Sequence, residues 1–259
     1  MRQGPVRPAF VSLALLALTP GAARASAEEI QVYLDDLNAP GRFGLDIHSN
    51  FVVTGERRDE YPGQQPSVNR FRVTPEFAYG LTPNLEAGLY LPLATIGPGG
   101  RIGADGAKVR LKYIAPKSPG QTWFWGANFE IGRVDHRLDV NPWNAELKGI
   151  LGRRWGPWTL AFNGNLDVQV SGPASAPATL EIATQLTYDL NRTLSVGLET
   201  YNGAGELRRL GRFSSAEQST FMVVNKRFGR WDLNLGVGAG YGANRDGLIL
   251  KAIVGVPID

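Results

Sequence analysis

Apolar and polar residues alternate in about a dozen separate stretches from Arg42 to the C-terminus, and this most restricts what the chain can fold into. Side chains along a strand point to opposite faces in turn, so a period of two marks a strand with one apolar and one polar face. The clearest case is residues 70–93. Phe71, Val73, Pro75, Phe77 and Tyr79 share one parity, and Arg72, Thr74, Glu76 and Ala78 the other. After Gly80–Asn84 the pattern restarts, with Leu85, Ala87, Leu89, Leu91 and Leu93 against Glu86, Gly88 and Tyr90. The stretch reads as a hairpin with one greasy face.

The same grammar continues on both sides. Asp46 and His48 oppose Phe43, Leu45, Ile47 and Phe51, while Lys108, Arg110 and Lys112 oppose Val109, Leu111 and Tyr113. Glu130 opposes Trp123, Trp125 and Phe129, and Glu146 with Lys148 opposes Trp143, Leu147 and Leu151. Asp167 faces away from Trp158 and Leu160, Glu181 from Ile182 and Tyr188, and Glu199 from Leu194 and Leu198. Trp231, Leu233 and Leu235 oppose Asp232 and Asn234, and Lys251 opposes Leu248, Leu250 and Val254. Residues 218–228 show no clear parity. Connections alternate in length, the long ones (54–68, 95–106, 133–141, 202–217) following odd strands. An even number of strands joined by alternating short and long connections is the pattern of a transmembrane barrel. The expected fold is therefore all-β: a single antiparallel up-and-down transmembrane β-barrel of about twelve strands over 42–259, with both termini periplasmic.

The N-terminus supports export. Arg2 and Arg7 precede an apolar run, Ala9–Leu18, which is followed by the small-residue sequence Ala22–Ala27. This is the layout of a secretory signal peptide over 1–27, with cleavage after Ala25 or Ala27. A run of about ten apolar residues is too short for a membrane helix, which needs ~20. Residues 28–41 then read as a periplasmic N-terminal segment. The formal charge of +3 is accounted for by Arg2, Arg7 and Arg24, so the chain beyond the leader is near neutral and gives no sign of a nucleic-acid partner. Cys is absent, which excludes a disulfide framework and thiolate chemistry.

A soluble barrel would turn its apolar parity inward; a membrane barrel turns it toward lipid. The aromatics favour lipid. Phe43, Tyr79, Tyr113, Trp123, Trp158, Tyr188 and Trp231 gather at the strand ends that would form the periplasmic rim, all on the apolar parity. Such girdles mark membrane interfaces. The polar parity then lines the lumen: Asp46, His48, Arg72, Glu76, Glu86, Tyr90, Lys108, Arg110, Lys112, Glu130, Glu146, Lys148, Asp167, Glu181, Glu199 and Lys251. Lys108, Arg110 and Lys112, placed beside Glu86 and Glu130, form a ladder suited either to filling a narrow lumen or to guiding solutes.

Catalytic signals are weak. His48 and His136 are the only histidines, with neither Cys nor a paired-His spacing, so no metal site and no cofactor are expected. His48 and Ser49 point to opposite faces and cannot form a dyad. The expectation is a non-enzymatic channel in the outer membrane of a Gram-negative bacterium, in contact with outer-membrane lipid, small-molecule solutes and the barrel-insertion machinery. The alternatives are an outer-membrane, lipase-like hydrolase and a structural or surface-recognition barrel with a plugged lumen.

Several short sequences resemble a family of bacterial outer-membrane barrels labelled for the meta-pathway of phenol degradation, often simply called transporters. They are Pro75–Glu86, Gly88–Pro92, Lys251–Gly255 and, near the start, Glu29–Tyr33 with Asn38–Gly41. The resemblance implies passage of small molecules, aromatic or hydrophobic compounds among them, across the outer membrane, and supplies no functional residues. The chain departs from many outer-membrane barrels in ending Val256-Pro-Ile-Asp259 instead of on an aromatic residue.

Overall fold

The structure, a computed structural model, describes residues 29–258 apart from 60, 98, 99, 101, 175 and 212, and gives Pro92 and Leu93 by backbone alone. The expected leader, its cleavage site and Asp259 lie outside the described residues. Twelve strands follow one another round a closed wall: β1 (Phe43–Thr54), β2 (Phe71–Thr82), β3 (Leu85–Ile96), β4 (Ile102–Ile114), β5 (Trp123–Val134), β6 (Trp143–Trp155), β7 (Trp158–Ser171), β8 (Thr179–Asn191), β9 (Leu194–Glu206), β10 (Glu217–Phe228), β11 (Trp231–Gly242) and β12 (Leu248–Val256). Each strand is antiparallel to both neighbours. The wall closes where β1 meets β12, from Leu45 opposite Val256 to Phe51 opposite Leu250. Closure leaves no edge strand, so the strands' amides and carbonyls find partners within the wall.

Two local expectations change. Residues 95–106, read as a long loop, are largely strand, and the β3–β4 connection is only 97–101. The pairing slips between Tyr90 and Ala94 on β3, opposite Lys108 to Ala104 on β4, with Gly106 at φ 148°. The bulge reverses parity, so Thr95 and Asp105 both turn inward and hydrogen-bond each other. The short/long alternation is accordingly imperfect, since the β4–β5 connection spans 115–122. The parity of β10 is also resolved: Phe221 and Val223 point inward, while Met222 and Val224 point outward. Apolar residues on both faces had hidden it.

Elsewhere the outward face is the apolar one. Leu147, Leu198, Met222, Val224, Leu235 and Leu250 are all exposed to the surroundings of the barrel. At the rim formed by the short turns, Phe43 and Tyr79 pack with ring centroids 4.6 Å apart, Trp158 and Tyr188 at 4.8 Å, and Tyr113 against Trp125 at 6.1 Å. Trp123 and Trp231 stand on the same outer rim, and Arg153 lies over Trp123, 5.1 Å from its ring. An aliphatic band bounded by interfacial aromatics is what lipid requires of an outer wall.

The band predicts a clear mutational response. Leu147→Arg, on the outward face of β6 away from either rim, should destabilise the barrel in phospholipid bilayers by about 2–4 kcal/mol, read from urea unfolding. A change within about 0.5 kcal/mol, ordinary for an exposed residue in water, would mean this face does not meet lipid.

Candidate functional site

The inward parity does not line an empty bore. Residues 29–40, expected as a periplasmic segment, turn back from the short-turn rim and run up inside the wall. At the rim Pro40 bridges Gly80, and Gly41 N–H donates to Gly80 O at 2.8 Å. A side chain at Gly80 would strike the carbonyls of Asn38 and Ala39, so glycine is what lets the segment hug the wall as it enters. Asn38 donates to Glu86 on β3 through its backbone N–H (2.6 Å) and its side-chain amide (2.7 Å). Lys112 on β4 donates to Asp36 O at 2.8 Å. Asp35 is clamped between Lys117 (2.5 Å) and Arg154 (2.6 Å).

Tyr33 sits deepest in this network. Its N–H donates to Asn163 Oδ1 at 2.6 Å and its carbonyl accepts from Asn163 Nδ2 at 3.0 Å, so one inward amide of β7 stands in for a neighbouring strand. Its hydroxyl donates to Glu130 (3.0 Å) and lies 2.6 Å from the hydroxyl of Tyr90. Three cations approach its ring: Lys148 at 4.0 Å, Lys112 at 4.9 Å and Arg110 at 5.7 Å. Cations over an aromatic face are attracted by the ring quadrupole, more so when desolvated. Val32 and Tyr33 also belong to a buried apolar cluster with Phe124, Ile150, Ala161, Ala183 and Phe221. Beyond Val32, Lys251 donates to Ile30 O at 2.9 Å. Residues 29–40 therefore form a plug, held by charge on one side of the lumen and by packing on the other.

The candidates divide by what they hold. Arg110 pairs with Glu76 and, at 2.8 Å, with Glu86; Glu76 also faces His48 Nε2 at 3.0 Å. Gly88 opposes Arg110 on the ladder, and a side chain there would collide with Arg110. The ladder residues do neighbour Glu86 and Glu130 in register, Lys112 opposite Glu86 and Arg110 opposite Glu130. The Arg110 side chain nevertheless reaches past β3 to Glu76 on β2. Lys148 pairs with Glu146 (3.1 Å), Lys251 with Glu199, and Asn165 donates to Glu181 (3.0 Å). Glu199 further accepts from Tyr201 and Gln185. Asp46, opposite Glu76, and Arg72 lie on the inward parity of β1 and β2, Lys108 on that of β4 and Asp167 on that of β7. Tyr33, Asp35 and Asn163 were missed by the sequence reading. The available signal was that Ile30, Val32 and Leu34 alternate with Gln31 and Tyr33 before the first wall strand.

At the opposite mouth, the β1–β2 loop leans across to the β5–β6 loop. Gln65 N–H donates to Arg137 O (2.8 Å), Tyr61 Oη to His136 O (2.8 Å), and the Tyr61 and His136 rings lie 5.2 Å apart. Ser67 donates to Asp246 on the β11–β12 loop at 2.7 Å. His136 is thus a loop-to-loop contact, and Ser49 points outward, donating to Ala252 O.

Over 82% of this chain and 97% of that one, the NanC porin superposes with a TM-score of 0.54 at 10% identity; the KdgM porin gives 0.53 at 8% identity, over 83% and 99%. The fold is a porin-type barrel. At such identities the likeness is one of fold alone. No protein-family model and no curated protein sequence matches the chain.

Burial raises the Tyr33 hydroxyl well above the usual phenol range, and the charge of Glu130 adds to this, so it remains a donor. For Asp35, burial acts to raise the carboxyl, but hydrogen bonds from Lys117 and Arg154 outweigh it and hold the group below its ordinary 3.8. A carboxyl lowered in the folded state contributes stability that is complete above its unfolded value and lost as pH falls through the folded one. The seat of the plug should therefore loosen below about pH 4. A nitroxide on Asp36→Cys, an exposed plug position in a chain without Cys, should become mobile over that range. Adding Asp35→Asn should give part of that mobility at pH 7; an unchanged spectrum there would sink the Asp35 clamp. Arg110→Met removes the cation that Glu76 and Glu86 share and should destabilise the barrel by about 3–5 kcal/mol. A loss under about 1 kcal/mol in chemical unfolding would refute a shared ion-pair role.

Proposed function

We propose that this protein is an outer-membrane channel for passive passage of small molecules, exported by its leader, with the short-turn rim toward the periplasm and no catalytic step. One observation carries the reading: the wall is closed without the segment that fills it. Residues 29–40 contribute no strand, so their withdrawal leaves twelve hydrogen-bonded strands around a bore lined by charged and polar side chains. Charged linings of that kind select solutes in pores. The porin-type fold supports the same reading.

The seat of Tyr33 suggests what passes. A phenol ring with a bonded hydroxyl and three cations around it already occupies the middle of the lumen. A small aromatic solute with a polar edge suits that seat once the plug has left, in keeping with the sequence resemblance to the phenol meta-pathway barrels.

Single-channel recording in planar bilayers tests the proposal. The intact chain should conduct intermittently, whereas a chain lacking residues 29–38 should conduct steadily. Folded deletion protein that leaves the bilayer sealed at high loading would overturn it in favour of a structural barrel.

A further inference from the structure

At the deep end of the plug, Glu29 meets His48 of β1 and Glu76 of β2. One donor atom from each, two carboxylate oxygens and a ring nitrogen, lies within 4.8 Å of the other two. His48 and Glu76 are each 2% exposed. Two polar atoms of this cluster, Glu29 Oε1 and His48 Nδ1, are buried without a hydrogen-bond partner. Buried polar atoms are nearly always paired, so the Glu29 oxygen, beside the Nε2 side of His48 and the Glu76 carboxylate, calls for a missing partner.

The wall presents its two donors from adjacent strands. Asp46 lies opposite Glu76 and His48 opposite Thr74, which sets the imidazole beside the carboxylate. Arg110 holds Glu76 by Oε1 and leaves Oε2 facing His48. Of the nearby cations, Arg110 pairs with Glu76 and Glu86, keeping only Nη1 without a partner, and Lys148 pairs with Glu146.

We propose that Glu29, His48 and Glu76 form a site for a borderline divalent cation, zinc being the type, that ties the plug to the wall. One imidazole and two carboxylates suit zinc, whereas calcium and magnesium favour all-oxygen sites with more ligands. Ligand bonds of about 2.0–2.2 Å set tetrahedral donors about 3.4 Å apart. His48 Nε2 and Glu76 Oε2, at 3.0 Å, already stand near that spacing, so Glu29 is the ligand that must close in, by roughly an ångström. Glu29 can supply that movement because it belongs to no strand. The bound ion satisfies the orphaned Glu29 oxygen and neutralises two carboxylates of like charge. The pair from Arg110 to Glu76 serves as the outer hydrogen bond that orients a metal-binding carboxylate. The site rests on the plug being seated and does not depend on the channel conducting.

The test uses the full-length protein stripped with a chelator and titrated with Zn2+ alone at neutral pH, with retained metal measured after gel filtration. The wild type should retain about one ion per chain. Glu29→Gln and His48→Gln should each weaken retention at least about tenfold, and His136→Ala, which removes the other imidazole, should not. Zinc should also reduce the mobility of the nitroxide at Asp36→Cys in the wild-type background and leave it unchanged with Glu29→Gln. No retained zinc, or retention undiminished in both Glu29→Gln and His48→Gln, overturns the proposal. Because Glu29 lies outside every strand, Glu29→Gln assembles the barrel whether or not the site exists.

Discussion

Closure of the β1–β12 seam is the constraint on which the other features depend. A backbone that crosses lipid must satisfy its own amides and carbonyls, and a ring of strands does so only when the last pairs with the first. Once Leu45–Phe51 lies against Leu250–Val256, every strand has a fixed inner and outer face. Alternation then sorts the side chains with no further choice. Lipid accepts the leucines, valines and aromatics outside. The acids, lysines and arginines are forced into a space too narrow for each to keep its own water.

That crowding explains the interior. A buried charge is tolerated when it is paired and its remaining hydrogen-bond capacity is met. Glu76 meets both Arg110 and His48, and Glu199 meets Lys251, Tyr201 and Gln185. The wall cannot complete the accounting alone. Lys112 and Lys251 donate to plug carbonyls, Glu86 accepts from Asn38 and Glu130 accepts from Tyr33. The plug serves as a polar partner for the wall, and its Val32 fills the apolar half of the lumen near Phe124 and Ile150.

The period of two made the wall legible, because each strand repeats the same local rule and the rule needs no knowledge of distant residues. It failed at three places for identifiable reasons. In β3 and β4 the bulge near Gly106 inserts an odd residue, so alternation resumes on the opposite parity and Thr95 and Asp105 resemble loop residues. In β10 the inner face is itself apolar, since Phe221 lies in the cluster that receives Val32 and Tyr33. The plug was illegible because its partners are remote: Tyr33 and Asn163 are 130 positions apart. Nothing local in Gln31-Val32-Tyr33-Leu34 says whether it pairs with a strand, water or a lumen. The site residues were therefore readable as inward-facing, but not as a receptor for the chain's own N-terminal segment. Likewise the spacing of His48 and Glu76 carried no metal-ligand signal, since Glu29 reaches them only through the fold.

Wall and plug are held by bonds of different kinds, and this difference is what permits one to move without the other. The wall's ladders are continuous backbone hydrogen bonds on twelve seams, and opening any of them in lipid would leave amides and carbonyls with no alternative partner. The plug's bonds run almost entirely to side chains: Asn163, Lys112, Glu86, Lys251, Lys117 and Arg154. Those groups face the polar lumen that the plug itself vacates as it leaves, so the lost contacts can be replaced by hydration. Hydrogen bonds exchanged for water carry a modest net free energy, about 0.5–1.5 kcal/mol for neutral partners and about 1.5–3 kcal/mol where one group is charged. A segment seated by several such bonds can be well ordered yet withdraw at the short-turn rim, where Gly80 already gives it clearance, while the barrel that surrounds it stays closed.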